Sequence, residues 1–177
     1  QKAIALDDSY AWGHAMLGSF YILKREYDKA IDEGERALSL SPSSADMHTA
    51  SAEILTISGR PEEAIPLAQK AIRLNPFCPA YYFTHLGRAY QYAEQFEEAA
   101  SAYKKALQRW PDNLFAQVYL TATYSMMDRE MEARAQAAEV LRVYPQFSLD
   151  HWAKETSYKD QSQRDKLSNA LRKAGLK

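Results

Sequence analysis

Residues 80–111 read AYYFTHLGRAYQYAEQFEEAASAYKKALQRWP, and the spacing inside this stretch recurs on both sides of it. Leu86, Gly87 and Tyr90 are followed by Ala99, Ala106 and Pro111. Upstream, the same offsets give Leu17, Gly18, Tyr21, Ala30, Ala37 and Pro42, then Ser51, Ala52, Leu55, Ala64, Ala71 and Pro76. Downstream they give Leu120, Thr121, Tyr124, Ala133, Val140 and Pro145. The alanines Ala30, Ala64, Ala99 and Ala133 are spaced by 34, 35 and 34 residues, as are the four prolines. A fixed period of this size marks a solenoid, in which each unit buries its apolar face only against its neighbours. A chain of that kind offers an extended surface to a partner.

The offsets have physical causes. Number each unit from Ala11, Ala45, Ala80 and Leu114. Positions 7, 8 and 11 then share one face of a first helix, at spacings of three and four. Gly or Ala at position 8 admits a second helix closely, and the alanine at position 20 is its counterpart. Position 32 ends the second helix, because proline disfavours helix in the residue before it. Turns recur between the helices, as in Ser58-Gly59-Arg60-Pro61 and Ala93-Glu94-Gln95-Phe96. Pro66 lies inside a second helix, where it removes a backbone donor and costs up to about 3 kcal/mol if uncompensated.

This pattern resembles the tetratricopeptide repeat over residues 11–145, in units 11–44, 45–79, 80–113 and 114–146. Three positions depart from that family: Thr121 replaces the small residue at position 8 of the last unit, and positions 4 and 24 differ more widely. Position 4, usually Trp, holds His14, His48, Phe83 and Gln117, and position 24, usually aromatic, holds Gly34, Ala68, Tyr103 and Ala137. Units with less bulk are expected to bring their helices closer. The resemblance implies an all-α right-handed superhelix whose first helices line a concave side through positions 2, 5, 9, 12 and 13. Residues so placed include Ile22, Leu23 and Ile57. The expected protein-binding set on that face is Trp12, Ser19, Glu53, Tyr81, Thr84, Arg88, Tyr92, Phe115 and Met126. Exposed aromatics beside an arginine are the usual makings of a binding hot spot. Repeat proteins that hold acidic chaperone tails use Lys and Asn at positions 5 and 9. Here those positions hold Ala15, Thr49, Thr84 and Val118, and Ser19, Glu53, Arg88 and Ala122, so that clamp is absent.

Composition narrows the function classes. Lys plus Arg total 22 and Asp plus Glu 23, for a net charge of −1, so no strong field invites nucleic acid or an anionic membrane. A single cysteine, Cys78, forbids an internal disulfide and suits a reducing compartment. No run approaches the roughly 20 apolar residues of a membrane helix, and no signal-peptide pattern appears. A cytoplasmic location is expected. His14 and His48 repeat one position and are expected to pack between helices. No histidine pair stands at i, i+4, no Cys-x-x-Cys exists, and glycine forms no phosphate cradle, so no catalytic residue, metal or cofactor is expected.

The ends differ from the repeats. Ala3 lies 34 residues before Ala37, so residues 1–8 read as the end of a truncated preceding repeat, and the chain as a piece of a longer protein. Beyond Pro145, Ser148 is a candidate N-cap for a short helix with Leu149, Trp152 and Ala153 on one side. A polar stretch follows to Lys159, and Asp160 and Gln163 suit a capping box. A second helix is expected from Gln161 to about Ala174, with Leu167, Ala170, Leu171 and Ala174 on one stripe and Gly175 as the left-handed terminus. Residues 147–177 are thus expected to cap the stack or to fold into its groove. Phe147-Ser148-Leu149, Trp152, Tyr158-Lys159-Asp160 and Leu171-Arg172-Lys173-Ala174-Gly175-Leu176 look like the tail of bacterial class III adenylate/guanylate cyclases that carry such repeats. That likeness implies a regulatory or scaffolding region of a bacterial signalling protein. The function expected is protein–protein interaction with a protein or peptide segment. The rivals are a homo-oligomerisation module and a fragment with nucleotide cyclase activity.

Overall fold

A computed structural model describes residues 9–155 and 158–177. The expected preceding half-repeat, residues 1–8, lies outside the described residues. Ten helices follow one another with no strand among the described residues. They are α1 (Ala11–Leu23), α2 (Tyr27–Leu40), α3 (Ala45–Ile57), α4 (Pro61–Leu74), α5 (Ala80–Tyr92), α6 (Phe96–Arg109), α7 (Leu114–Met126), α8 (Glu130–Val143), α9 (Leu149–Glu155) and α10 (Gln161–Lys173). The most extensive contacts join α1 to α2, α3 to α4, α5 to α6 and α7 to α8, and each hairpin then packs on the next. The first helices also touch in sequence, α1 to α3, α3 to α5 and α5 to α7. The result is a helical solenoid with a nearly continuous core.

The turn inside each hairpin is built the same way. Arg25, Gly59, Glu94 and Asp128 occupy one repeat position and all take positive φ, between 56° and 85°. The amide that follows each, at Glu26, Arg60, Gln95 and Arg129, donates back to the carbonyl of Tyr21, Leu55, Tyr90 or Tyr124. These bonds satisfy carbonyls that a helix end leaves bare. The second helices start with acidic residues, Glu62 and Glu63 in α4 and Glu97 and Glu98 in α6, which favour the positive end of the helix dipole.

In the first hairpin the small residues at positions 8 and 20 meet as expected. A Cβ added at Gly18 would lie 3.1 Å from the Ala30 carbonyl oxygen. The space at position 24 is filled by a residue of the next hairpin in one case and by the position's own aromatic in another. In the first hairpin, Ile54 of α3 fills the space beside Gly18 and Gly34. In the third, Tyr103 lies so close to Gly87 that a Cβ there would come within 2.5 Å of its ring. Pro66 is accommodated on the exposed side of α4, which runs unbroken from Pro61 to Leu74.

Past α8 the chain turns back. Ser148 accepts from the His151 amide and starts α9, and the Leu149 amide donates to the Lys177 carbonyl. α10 begins at Asp160, whose carboxylate accepts from the amide and hydroxyl of Ser162, in place of a capping box with Gln163. It lies on α7 and buries Leu167, Ala170, Leu171, Ala174 and Leu176. Gly175 takes φ 101° and ends it.

Candidate binding groove

The face lined by α1, α3, α5 and α7 is filled at one end by the chain's own tail. Trp152 packs against Phe115 and Tyr119, with ring centroids 5.2 and 5.8 Å apart. The Tyr158 ring lies 5.4 Å from that of Tyr92, and its hydroxyl accepts from Arg88 Nε at 3.1 Å. One residue later, the Lys159 amide donates to the Ile57 carbonyl at 2.9 Å, and its ammonium sits over the Tyr27 ring. The tail therefore crosses α7, α5 and the end of α3 in turn.

Beneath it is a compact polar cluster. Arg88 Nη1 donates to Glu53 Oε1 at 3.1 Å, and the guanidinium lies over the rings of Tyr119 and Tyr158. Burial opposes the Arg88 charge, but Tyr119, Tyr158 and Glu53 outweigh it and hold the group protonated. Burial likewise raises the Glu53 carboxyl, yet His85 and Arg88 prevail and hold it below the usual carboxylate range. Burial pushes His85 down, helped by Arg88 and opposed by Glu53, whose Oε1 is 3.6 Å from its Nδ1. Near neutral pH the imidazole is thus uncharged, and Arg88 is the cation that holds Glu53.

Beside the tail the groove stays open. A cavity of about 540 Å³ lies between α1, α3 and α7 on one side and the 144–152 segment on the other. Its walls include Ile22, Leu23, Ile57, Phe115, Tyr119, Tyr144, Phe147 and Trp152, with Ser19, Glu53, Arg88 and His151 as its polar members. Charge enters it chiefly as the Glu53–Arg88 pair.

The structure divides the residues expected on this face. Ser19, Glu53, Arg88 and Phe115 converge on the cavity. Tyr92 and Met126 lie under the tail, beside Tyr158 and Leu167. Tyr81 is exposed at the edge and donates to Asp46, which also accepts from Tyr82. Trp12 is exposed and stands away from the cavity wall. Thr84 is corrected: it is buried, with its hydroxyl donating to the Ala80 carbonyl and accepting from Asn113, so it presents nothing to a partner. The same is true of position 5 in the other units, where Ala15, Thr49 and Val118 are buried between first helices. Sequence reasoning held open that the tail folds into the groove, but it did not place Tyr119, Tyr144, Phe147, His151 or Trp152 in the cavity wall. An aromatic at each of those positions was visible, but no periodicity ties them to the groove.

Cys78 and His14 lie outside the cavity wall. Cys78 is buried, and burial pushes its thiol up despite nearby Arg109. Arg109 itself clamps the Phe77 loop through the carbonyls of Cys78 and Pro76. His14 is buried against Glu33 at 2.6 Å. No group of three potential metal ligands gathers among the described residues. No helix among them is long and apolar enough to cross a membrane.

Comparison with known proteins agrees with this architecture. A family model described as tetratricopeptide repeat matches residues 43–112, and a second of the same description matches residues 13–44. No curated protein matches the sequence. Among solved structures, PilW, described as a type IV pilus biogenesis factor, superposes with TM-score 0.78 at 19% identity, over 98% of this chain and 77% of its own. YrrB, described as a TPR protein with an unusual peptide-binding site, gives 0.62 at 21% identity, over 98% and 89%. MamA gives 0.65 at 20% identity, over 89% and 91%. Likeness at this identity concerns the fold. The likeness of the tail to those of nucleotide cyclases finds no support in these matches.

Proposed function

Residues 13–112 are tetratricopeptide repeats, and from that premise we propose that the chain is a non-catalytic protein–protein interaction module that takes a partner segment on the face lined by α1, α3, α5 and α7. The observation that carries this reading is the open, largely apolar cavity on that face, with the exposed Leu23 and Phe115 on its wall and the exposed Tyr81 ring on α5 outside it. Large apolar groups that remain in water beside a concave surface are the usual mark of an interaction site. The peptide-binding site reported for YrrB gives the reading a precedent in the same fold.

Panning a random peptide display library on the whole chain tests it. Enriched peptides should perturb backbone amide resonances of the first helices. No enrichment above an unrelated helical protein, or perturbation confined to α2, α4, α6 and α8, would overturn it. Tyr81→Ala is the informative variant, since Arg88→Ala would also release Glu53 and Tyr158.

A homotypic module is the second reading, favoured by one observation. Met16, Phe20 and Leu23 form an exposed stripe on α1, whereas Ile54, Ala89 and Thr123 at the Phe20 position of later units are buried. Concentration-dependent light scattering separates the two, because a peptide-binding monomer stays monomeric. The finer reading, a regulatory region of a signalling protein such as a nucleotide cyclase in the cytoplasm, rests on the tail resemblance alone. The structure accounts for much of that tail by its docking: Tyr158 meets Arg88, and Leu171, Ala174 and Leu176 are buried around the glycine that ends α10.

A further inference from the structure

We propose that the cavity between α1, α3, α7 and the 144–152 segment is a docking pocket for an uncharged, apolar stretch of a partner polypeptide. The proposal rests on the interaction-surface reading above and gives it one place and one ligand chemistry.

Continuity is the first support. The adjoining part of the groove already holds polypeptide, supplied by the chain itself. Trp152 packs its ring at a tilt against Phe115 and edge-on against Tyr119, the Tyr158 hydroxyl accepts from Arg88, and the Lys159 amide donates to the Ile57 carbonyl. A bound peptide would use the same three kinds of contact. The cavity opens beside this segment and shares Arg88, Phe115, Tyr119 and Trp152 with it. A partner segment would therefore extend an interface that the molecule has already built.

Size and chemistry are the second. A volume of about 540 Å³ falls within the roughly 300–1,000 Å³ of ordinary ligand pockets. Leu23 is 73% exposed and Phe115 56% exposed, both beside the cavity, so apolar area remains to be covered. Glu53 and Arg88 already neutralise each other. A carboxylate or ammonium brought in beside them would lose its water without gaining an unshared partner, which is unfavourable. An apolar side chain meets no such penalty. The pocket therefore selects against acidic peptides, in keeping with the missing Lys and Asn at positions 5 and 9.

The probe is acetyl-Leu-Phe-Leu-amide, titrated into the isotopically labelled whole chain, with acetyl-Asp-Phe-Asp-amide as its charged counterpart. The apolar tripeptide should shift resonances of Leu23, Ile57 and Phe115, and the acidic one should bind roughly tenfold more weakly or worse. Leu23→Asp should lower affinity for the apolar tripeptide by about fivefold or more, while Phe77→Asp, a control on a distant exposed loop, should leave it unchanged. Both substituted side chains are exposed, so the fold should persist, as circular dichroism would verify. Equal affinity for the two tripeptides overturns the proposal, as does an unaffected Leu23→Asp variant or no binding up to the solubility limit. Shifts confined to Trp12 and Tyr81 also overturn the pocket, yet leave the wider interaction surface standing. Failure of the library selection, by contrast, strikes that wider reading.

Discussion

Gly87 shows how one missing methyl group sets the packing of a hairpin. The Tyr103 ring that occupies its place cannot easily retreat. It stacks on Tyr119 at 5.9 Å, and its hydroxyl donates to Gln91, which also accepts from Thr123. At Gly18 the severest approach, 2.6 Å, is to the terminal methyl of Ile54, which can rotate away, and the Ala30 carbonyl oxygen at 3.1 Å asks for only a small shift. Alanine gains about 1 kcal/mol over glycine in helix propensity, whereas overpacking costs about 1–3 kcal/mol. Gly87→Ala should therefore destabilise, and by more than Gly18→Ala, in urea midpoints; the reverse ranking would show that the Tyr103 side chain yields. His85 provides a second test at this scale. Its folded pKa is depressed from 6.5, because burial between Tyr81, Glu53 and Arg88 favours the neutral ring. That contribution is fully present above pH 6.5 and is lost as pH falls through the lower folded value. Glu53, also depressed from its ordinary 4.5, holds its contribution to lower pH before losing it. His85→Gln should flatten the fall in stability just below pH 6.5, leaving the deeper acid loss. Parallel pH curves for the two proteins would refute the assignment.

At the scale of the element, α10 separates what docks a helix from what decorates it. Two salt links join it to hairpin turns: Lys166 to Glu94 and Lys173 to Asp128, at 2.6 and 2.7 Å. Both acids sit at the positive-φ position of their turns. All four side chains are solvated, and ion pairs of this kind contribute little after screening. Leu171 is fully buried. Its truncation to alanine should cost about 2–5 kcal/mol, whereas Lys166→Ala and Lys173→Ala together should leave the urea midpoint nearly unchanged. A larger effect from the lysines would reverse this order. The helices themselves were legible in the sequence, because each hairpin repeats the same local demands. A small residue at position 8 faces Ala at position 20, a proline stands past the second helix, and a leucine–alanine stripe runs along α10. The tail's route was not legible. Tyr158 and Lys159 sit in a polar, aperiodic stretch, and their partners are far back in the chain, 70 residues away for Arg88. Thr84 was misplaced for a related reason. Repeat position alone does not reveal that neighbouring first helices close over position 5.

Over the whole molecule, the tail changes how the stack holds together. A plain solenoid couples each unit only to its neighbours, so disturbance at one end fades with distance. Here the Lys159–Ile57 backbone bond and the Tyr158–Arg88 contact join the last segment to the second and third hairpins. The tail spans the open side of the stack and ties its stability to that of α3 and α5. Tyr158→Ala removes the buried ring and its bond to Arg88, while α10 keeps its own apolar seat on α7. Native-state hydrogen exchange should then show the Lys159 amide losing protection together with the last turn of α5, with α2 little changed. The denaturant transition reported by Trp152 should move to lower urea and separate from the loss of total helix, which in the parent should coincide with it. If Tyr158→Ala leaves the two transitions superimposed and the Lys159 amide protected, the tail is a passenger on the groove, and the stack is cooperative without it.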